Sequence, residues 1–181
     1  MSLHVVYGHD EAFSRWACDR IPWAAYHPHM RAVGVSDGLD ESSRLLAVVT
    51  FSDYRPPVEI NGGQWYNTVE CGIAATSPRW ASRRVIKEIL SIPFKQFKVR
   101  KVRLIVPSTN KRALRFAEGI GFTPEGTLRH EFAKGVHACV LGLLRHEFER
   151  PDFMSRKKAA RNRRSRQHGI EQGRGIVSAA L

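Results

Sequence analysis

No stretch of the 181 residues approaches the run of about eighteen uninterrupted apolar side chains that a membrane-crossing helix requires. The opening segment MSLHVVYGHDE also lacks the basic-then-apolar layout of a secretory signal. A soluble, cytoplasmic protein without a membrane partner is therefore expected. Cysteine is scarce as well: Cys18, Cys71 and Cys139 are odd in number, far apart and without a C-x-x-C spacing. That pattern argues against a disulfide framework or a metal site and for small buried hydrophobes, so no metal is expected. Acid is in short supply, with 17 Asp and Glu against 29 Lys and Arg and a formal net charge of +12.

What is present is enough for one core. A chain of this length with 43% hydrophobic residues builds a single domain. The positive charge falls in two blocks. From Pro151 to Leu181 there are eight Lys and Arg against Asp152 and Glu171, a net of +6. Between Ser77 and Arg115 there are twelve against Glu88 alone. A charge run is ordinarily a solvated face, but an excess of one sign on this scale points to a polyanionic ligand.

Periodicity divides residues 1–150 into β-α-β-β-β-α-β-α-β-β. His4 to Tyr7 reads as a strand, and His9 to Arg20 as an amphipathic helix with Phe13, Trp16 and Ala17 on one side and Asp10 placed to cap it. Arg31 to Val35 and Leu45 to Phe51 read as antiparallel strands, and Trp65 to Ala75 as a further strand. A helix is expected over Ala81 to Phe97, shortened or kinked by Pro93, and another from Asn110 to Glu118, ended by Gly119 and Gly121. Val102 to Val106 is a strand between them. Phe122 to Phe132 and His137 to Leu144 close the domain as two strands. The segment 151–181 is a basic tail with no periodic apolar residues, expected to remain disordered until bound. Its Arg156, Lys157, Lys158, Arg161, Arg163, Arg164 and Arg166 are candidate contacts to DNA or RNA.

The chemistry-bearing stretch is the strand ending at Ala75, the loop Thr76 to Ser82 and the helix that follows. A loop feeding a helix start collects unpaired N–H groups and the positive end of the helix dipole, which suits a pyrophosphate. Arg79, Arg83 and Arg84 add charge to it, and Asn110 starts a second helix carrying Arg115.

These residues resemble the GNAT superfamily of acyl-CoA-dependent N-acyltransferases. The stretch Asn110-Lys-Arg-Ala-Leu-Arg-Phe-Ala-Glu-Gly-Ile-Gly-Phe122 is similar to the N-x-x-A-x-x-x-A-E-x-x-G-F signature of the branch that includes the ribosomal-protein N-terminal acetyltransferases. Thr123 to Arg129 matches that branch's next strand, and Leu141 to Arg145 its last. The resemblance implies an α/β fold: a mixed, mostly antiparallel sheet of about seven strands flanked by helices, with a splayed central strand. It also implies acetyl-CoA as cosubstrate and direct transfer of the acetyl group to an amine of a protein, small molecule or nucleobase.

By the same resemblance the thioester carbonyl would meet a backbone N–H at Ile73 or Ala74, and Arg79, Trp80, Ala81, Ser82, Arg83, Arg84, Asn110 and Arg115 would hold the cofactor. One departure stands out: where the family carries Q/R-x-x-G-x-G/A, this chain has Arg79-Trp80-Ala81-Ser82-Arg83-Arg84, with neither glycine. The tyrosine often found on the later helix is replaced by Ala117. Glu70 is the candidate base, and it reads equally as a salt-bridged surface carboxylate because the strand's register is not fixed by sequence. Tyr66, on the same face by period two, is the second catalytic candidate. The absent glycines and the basic tail also resemble the phage Mom-type relatives, which implies as an alternative a DNA base-modifying enzyme using another donor. A non-catalytic nucleic-acid-binding module is the third reading.

Overall fold

The computed structural model describes residues 2–60, 63–64 and 67–154. In chain order they form β1 (His4–Val6), α1 (Asp10–Cys18), β2 (Arg31–Ser36), β3 (Leu45–Arg55), β4 (Glu59–Ile60), β5 (Gly63–Gln64) and β6 (Thr68–Ala75). After a 3-10 turn at Pro78–Trp80 come α2 (Arg83–Ser91), a π-helical turn at Ile92–Gln96, β7 (Lys101–Pro107), α3 (Lys111–Gly119), β8 (Thr123–Ala133), β9 (Val136–Leu144) and α4 (Arg145–Phe148). Seven strands make one sheet in the order β1-β2-β3-β6-β7-β9-β8, while β4 and β5 pair as a separate hairpin. Among the described residues only β6 and β7 are parallel neighbours. The expected mixed, mostly antiparallel sheet with flanking helices is what forms.

Helices α2 and α3 cover one face of the sheet. The stripe Val85, Ile86, Ile89 and Leu90 of α2 is buried with Val69 and Cys71 of β6 and with Val102 and Leu104 of β7. Each such aliphatic side chain contributes about 1.5–3 kcal/mol on burial. α3 joins the same cluster through Ala117, and Trp80 stacks against its Phe116 with ring centroids 5.6 Å apart. α1 packs on the other face, where Ala17 is buried with Ala32, Val48 and Ala74. It comes very close to β2: a Cβ on Gly34 would lie 2.8 Å from the Phe13 ring.

One local expectation is corrected, and the break expected at Pro93 forms. Asp10 does not cap α1. His9 occupies the N-cap position without a side-chain bond, and the Asp10 carboxylate accepts instead from the Ala32 N–H at 2.8 Å and from Arg31 at 2.8 Å, tying α1 to β2. The helix expected over Ala81 to Phe97 is regular only to Ser91. Pro93 has no N–H to donate, and the chain widens into the π turn, closed by Phe97 N–H donating to the Ile92 carbonyl at 3.2 Å. Core packing continues past residue 150: Phe153 is 3% exposed and lies over Gly121, which has φ +109°.

Candidate active site

The pairing of β6 is lopsided. Its ladder with β3 runs from Ser52↔Glu70 to Ala47↔Ala75, whereas its parallel ladder with β7 holds only at Thr68↔Lys101, Val69↔Val102 and Glu70↔Arg103. Beyond Glu70 the strands part, although β7 continues to Pro107. This is the splayed central strand expected from the resemblance. The β7-facing backbone of Cys71 to Ala75 is thus left without a strand partner. Alternation decides which amides face the gap. Thr76 N–H donates to the Leu46 carbonyl at 2.9 Å, on the β3 side. Ala74 and Gly72 turn the same way, so Ile73 N–H is directed into the gap. Of the two amides expected to meet a thioester carbonyl, Ile73 is the one so placed and Ala74 is not.

Glu70 sits where the splay begins, facing away from α2. Its carboxylate lies 3.3 Å from Arg103, its partner across the last rung. Arg103 also binds Asp53, which in turn pairs with Arg55 at 3.2 Å. Asp53 reaches this position through a register shift in β3 between Ser52 and Arg55, where its φ is +46°. Burial holds the Glu70 carboxyl above the usual 4.5 of a glutamate, with the charge of Arg55 pulling the other way. The Arg103 Nε is buried and has no hydrogen-bond partner among the described residues. Glu70 is thus ion-paired, and it is a half-buried carboxylate at the mouth of the gap.

The gap has a roof on the Glu70 face. The segment after α1 starts over β6, where a Cβ on Gly72 would lie 3.6 Å from Ile21, and continues to Trp23. Trp23 stacks on Phe132 of β8, ring centroids 4.8 Å apart. That contact joins the α1–β2 connection to the tip of the β8–β9 hairpin, which lies at the Pro107 end of β7 because Pro107 pairs with Ala138. Cys71 faces the opposite way into the core. Burial and the neighbouring Glu70 charge push its thiol up to about 12, so no thiolate is available there for covalent catalysis.

The loop after β6 is rigidly built. Ser77 Oγ accepts from Arg79 N–H at 3.3 Å, Ala81 N–H donates to the Pro78 carbonyl at 3.3 Å, and Ser82 N–H donates to the Trp80 carbonyl at 2.9 Å. Ser82 then caps α2, its Oγ accepting from Val85 N–H at 3.3 Å. This leaves the amides of Arg83 and Arg84 as the open donors at the start of α2 among the described residues. Asn110 caps α3 likewise, accepting from Ala113 N–H at 3.0 Å. Arg79, Arg83 and Arg115 are exposed.

Two cofactor expectations change. The Trp80 ring is 5% exposed and belongs to the core, so it offers no face to a ligand. The Arg84 guanidinium is turned back onto the Leu3 carbonyl and onto Glu88 at 3.5 Å. A cleft of about 800 Å³ opens beside this loop at the end of the sheet, with Arg20, Arg44 and Arg79 around apolar walls from Trp16, Leu45 and Leu46.

No family model matches the sequence, and no curated protein matches it either. Solved structures do match. A chimera of the spermidine N-acetyltransferase SpeG from Vibrio cholerae and hSSAT aligns with TM-score 0.61 and 18% identity over 83% of this chain and 100% of that one. SpeG from Vibrio cholerae in complex with CoA and spermine aligns with TM-score 0.55 and 19% identity over 82% of this chain and 98% of that one. A dodecameric structure of the Vibrio cholerae enzyme in an intermediate state gives TM-score 0.56 and 17% identity over 81% and 96%. The fold is that of the GNAT acetyltransferases.

Within this GNAT fold, Glu70, Ile73 and the Thr76–Ser82 loop lie along one strand and its exit. Tyr66 and the tail cations Arg156, Lys157, Lys158, Arg161, Arg163, Arg164 and Arg166 lie outside the described residues. Arg103, Asp53 and Phe132 were not singled out from sequence. Their placement depends on register, on a bulge and on a contact between segments far apart in the chain. Among the described residues there is no cluster of His, Cys, Asp and Glu able to hold a metal, and no helix long and apolar enough to cross a membrane.

Proposed function

We propose that this chain is an acetyl-CoA-dependent N-acetyltransferase that moves the acetyl group directly to an amine. The observation that carries the reading is the parting of β6 from β7 immediately after Glu70, which leaves the Ile73 amide directed into a gap whose mouth holds a half-buried carboxylate. Glu70 takes the proton from the acceptor amine, directly or through one water, and burial, by raising its pKa, makes it a stronger base. Ile73 N–H donates to the carbonyl oxygen as charge develops on it. Arg103 holds the Glu70 carboxylate in position. Trp23 and Phe132 flank the acceptor side.

The residues present suit acetyl-CoA. The amides of Arg83 and Arg84 with the Arg83 side chain serve a pyrophosphate at the α2 N-terminus, in place of the missing glycines. The cleft rimmed by Arg20, Arg44 and Arg79 suits a phosphorylated nucleotide moiety next to that loop. Direct transfer is supported by the state of Cys71, which burial keeps protonated.

Spermidine and spermine belong to the matched enzymes by name and serve this chain as first trial acceptors. A peptide N-terminus is the second, from the resemblance to the ribosomal-protein branch. Release of free CoA thiol is to be followed with acetyl-CoA and each acceptor in turn. Saturable release with one of them, lost in Glu70→Gln, supports the proposal. No release with any of them, together with no acetyl-CoA binding, overturns it.

A further inference from the structure

Five arginines on the α1 face and along the strands are matched with carboxylates: Arg15 with Glu11, Arg31 with Asp10, Arg44 with Asp37, Arg55 and Arg103 with Asp53. On the outer surface of α2 and α3 the pattern reverses. Arg83, Lys87, Lys95, Lys111, Arg112 and Arg115 are exposed there, and none has a carboxylate partner among the described residues. The two acids on these helices do not neutralise them. Glu88 is turned toward Arg84 and Tyr7, and Glu118 has an interaction of its own.

The spread of these charges exceeds what an acyl-CoA uses. Between Arg83 and Lys95 the helix and its π turn advance roughly 18 Å, so Lys87 and Lys95 lie beyond the reach of a pyrophosphate held at the α2 N-terminus. A polymer of phosphates, with one charge per ~1.7 Å of duplex axis, matches a surface of this length.

We propose that the outer face of α2 and α3 is a docking surface for the phosphate backbone of a nucleic acid. It binds without base readout, because its side chains are long cations, which reach phosphates and carry no base-specific pattern. It lies on the opposite side of the sheet from Glu70 and the Trp23–Phe132 roof. Docking there leaves the acceptor side open.

The test uses the full chain and fluorescence anisotropy with a labelled DNA duplex and a single-stranded RNA of equal length, across a salt series. The variant Lys87→Glu/Lys95→Glu/Arg112→Glu avoids the residues assigned to acetyl-CoA, and Lys87→Gln/Lys95→Gln/Arg112→Gln is its milder counterpart. Arg129→Glu/Lys134→Glu, on the β8–β9 hairpin, is the control. The proposal predicts that both α2–α3 triples weaken duplex binding at least tenfold at physiological salt and lower the log–log salt slope by about three. The control and acetyl-CoA affinity should not change. Tighter binding of the RNA than of the duplex would identify the partner as single-stranded and still support the surface. Duplex and RNA binding that persist unchanged in both triples, or no binding of either nucleic acid by the full chain, would overturn the proposal without touching acetyl transfer.

Discussion

Glu70 and Arg103 face each other across the final rung of the β6–β7 ladder, their side chains 3.3 Å apart, and beyond that rung the two strands separate. The sheet thus places a carboxylate and its counter-ion at the point where its own hydrogen bonding stops. The half-burial that raises the Glu70 pKa and the gap that exposes the Ile73 amide share this origin.

Replacing Glu70 by Gln keeps the shape and removes the proton acceptor. The rate of acetyl transfer should fall roughly 100-fold or more, with acetyl-CoA binding unchanged. In the unaltered protein the base works only when ionised, so activity should decline as pH falls through a pKa that burial holds above 4.5. A pH–rate profile of kcat/KM checks this. An acidic limb that persists in Glu70→Gln would assign the base elsewhere.

Arg103 acts through Glu70 and not on the acceptor. Arg103→Met should move the acidic limb of the pH profile upward, since the carboxylate loses the cation that favours its charged form. Arg103→Lys should restore part of the shift. A fall in rate with no change of the limb would reduce Arg103 to a structural role.

Trp80 separates the core reading from the ligand reading. Its indole is 5% exposed and packed on Phe116. Trp80→Ala should cost about 3–5 kcal/mol in a denaturant melt. A loss of acetyl-CoA affinity with unchanged stability would return the ring to the cofactor.

Asp10 ties α1 to β2 through two bonds, at 2.8 Å each. Asp10→Ala should destabilise the fold by about 1–3 kcal/mol, because it leaves the Ala32 amide without its acceptor. Were Asp10 merely a helix cap, Asp10→Ser would rescue the loss. The geometry predicts that it does not, since a serine hydroxyl is too short to reach β2.

The order of the main elements was legible in the chain because period-two and period-four apolar patterns report directly on which face is buried. Val85, Ile86, Ile89 and Leu90 are the clearest example. Element ends were less so. Asp10 has a cap-forming side chain at a helix start, yet β2 offers its carboxylate an amide and an arginine, and tertiary bonding prevailed. The β4–β5 hairpin is only two residues on each strand, too short for a periodic signal. Trp80 was misread because its position in a basic loop suggested exposure, while its ring is drawn under by α3. Glu70 was visible as a strand carboxylate. Its partner was not, since parallel register between β6 and β7 is set by the crossover through α2, and Asp53 arrives only through a bulge.

The central claim is that the loop Thr76 to Ser82, without the family's glycines, still holds acetyl-CoA against the gap between β6 and β7. Calorimetric titration of the nucleic-acid-free protein with acetyl-CoA at physiological salt tests it most directly. Saturable binding in the micromolar range, about −8 kcal/mol, weakened in Arg83→Ala, is the expected result. An absence of binding at millimolar acetyl-CoA by a folded protein would contradict it.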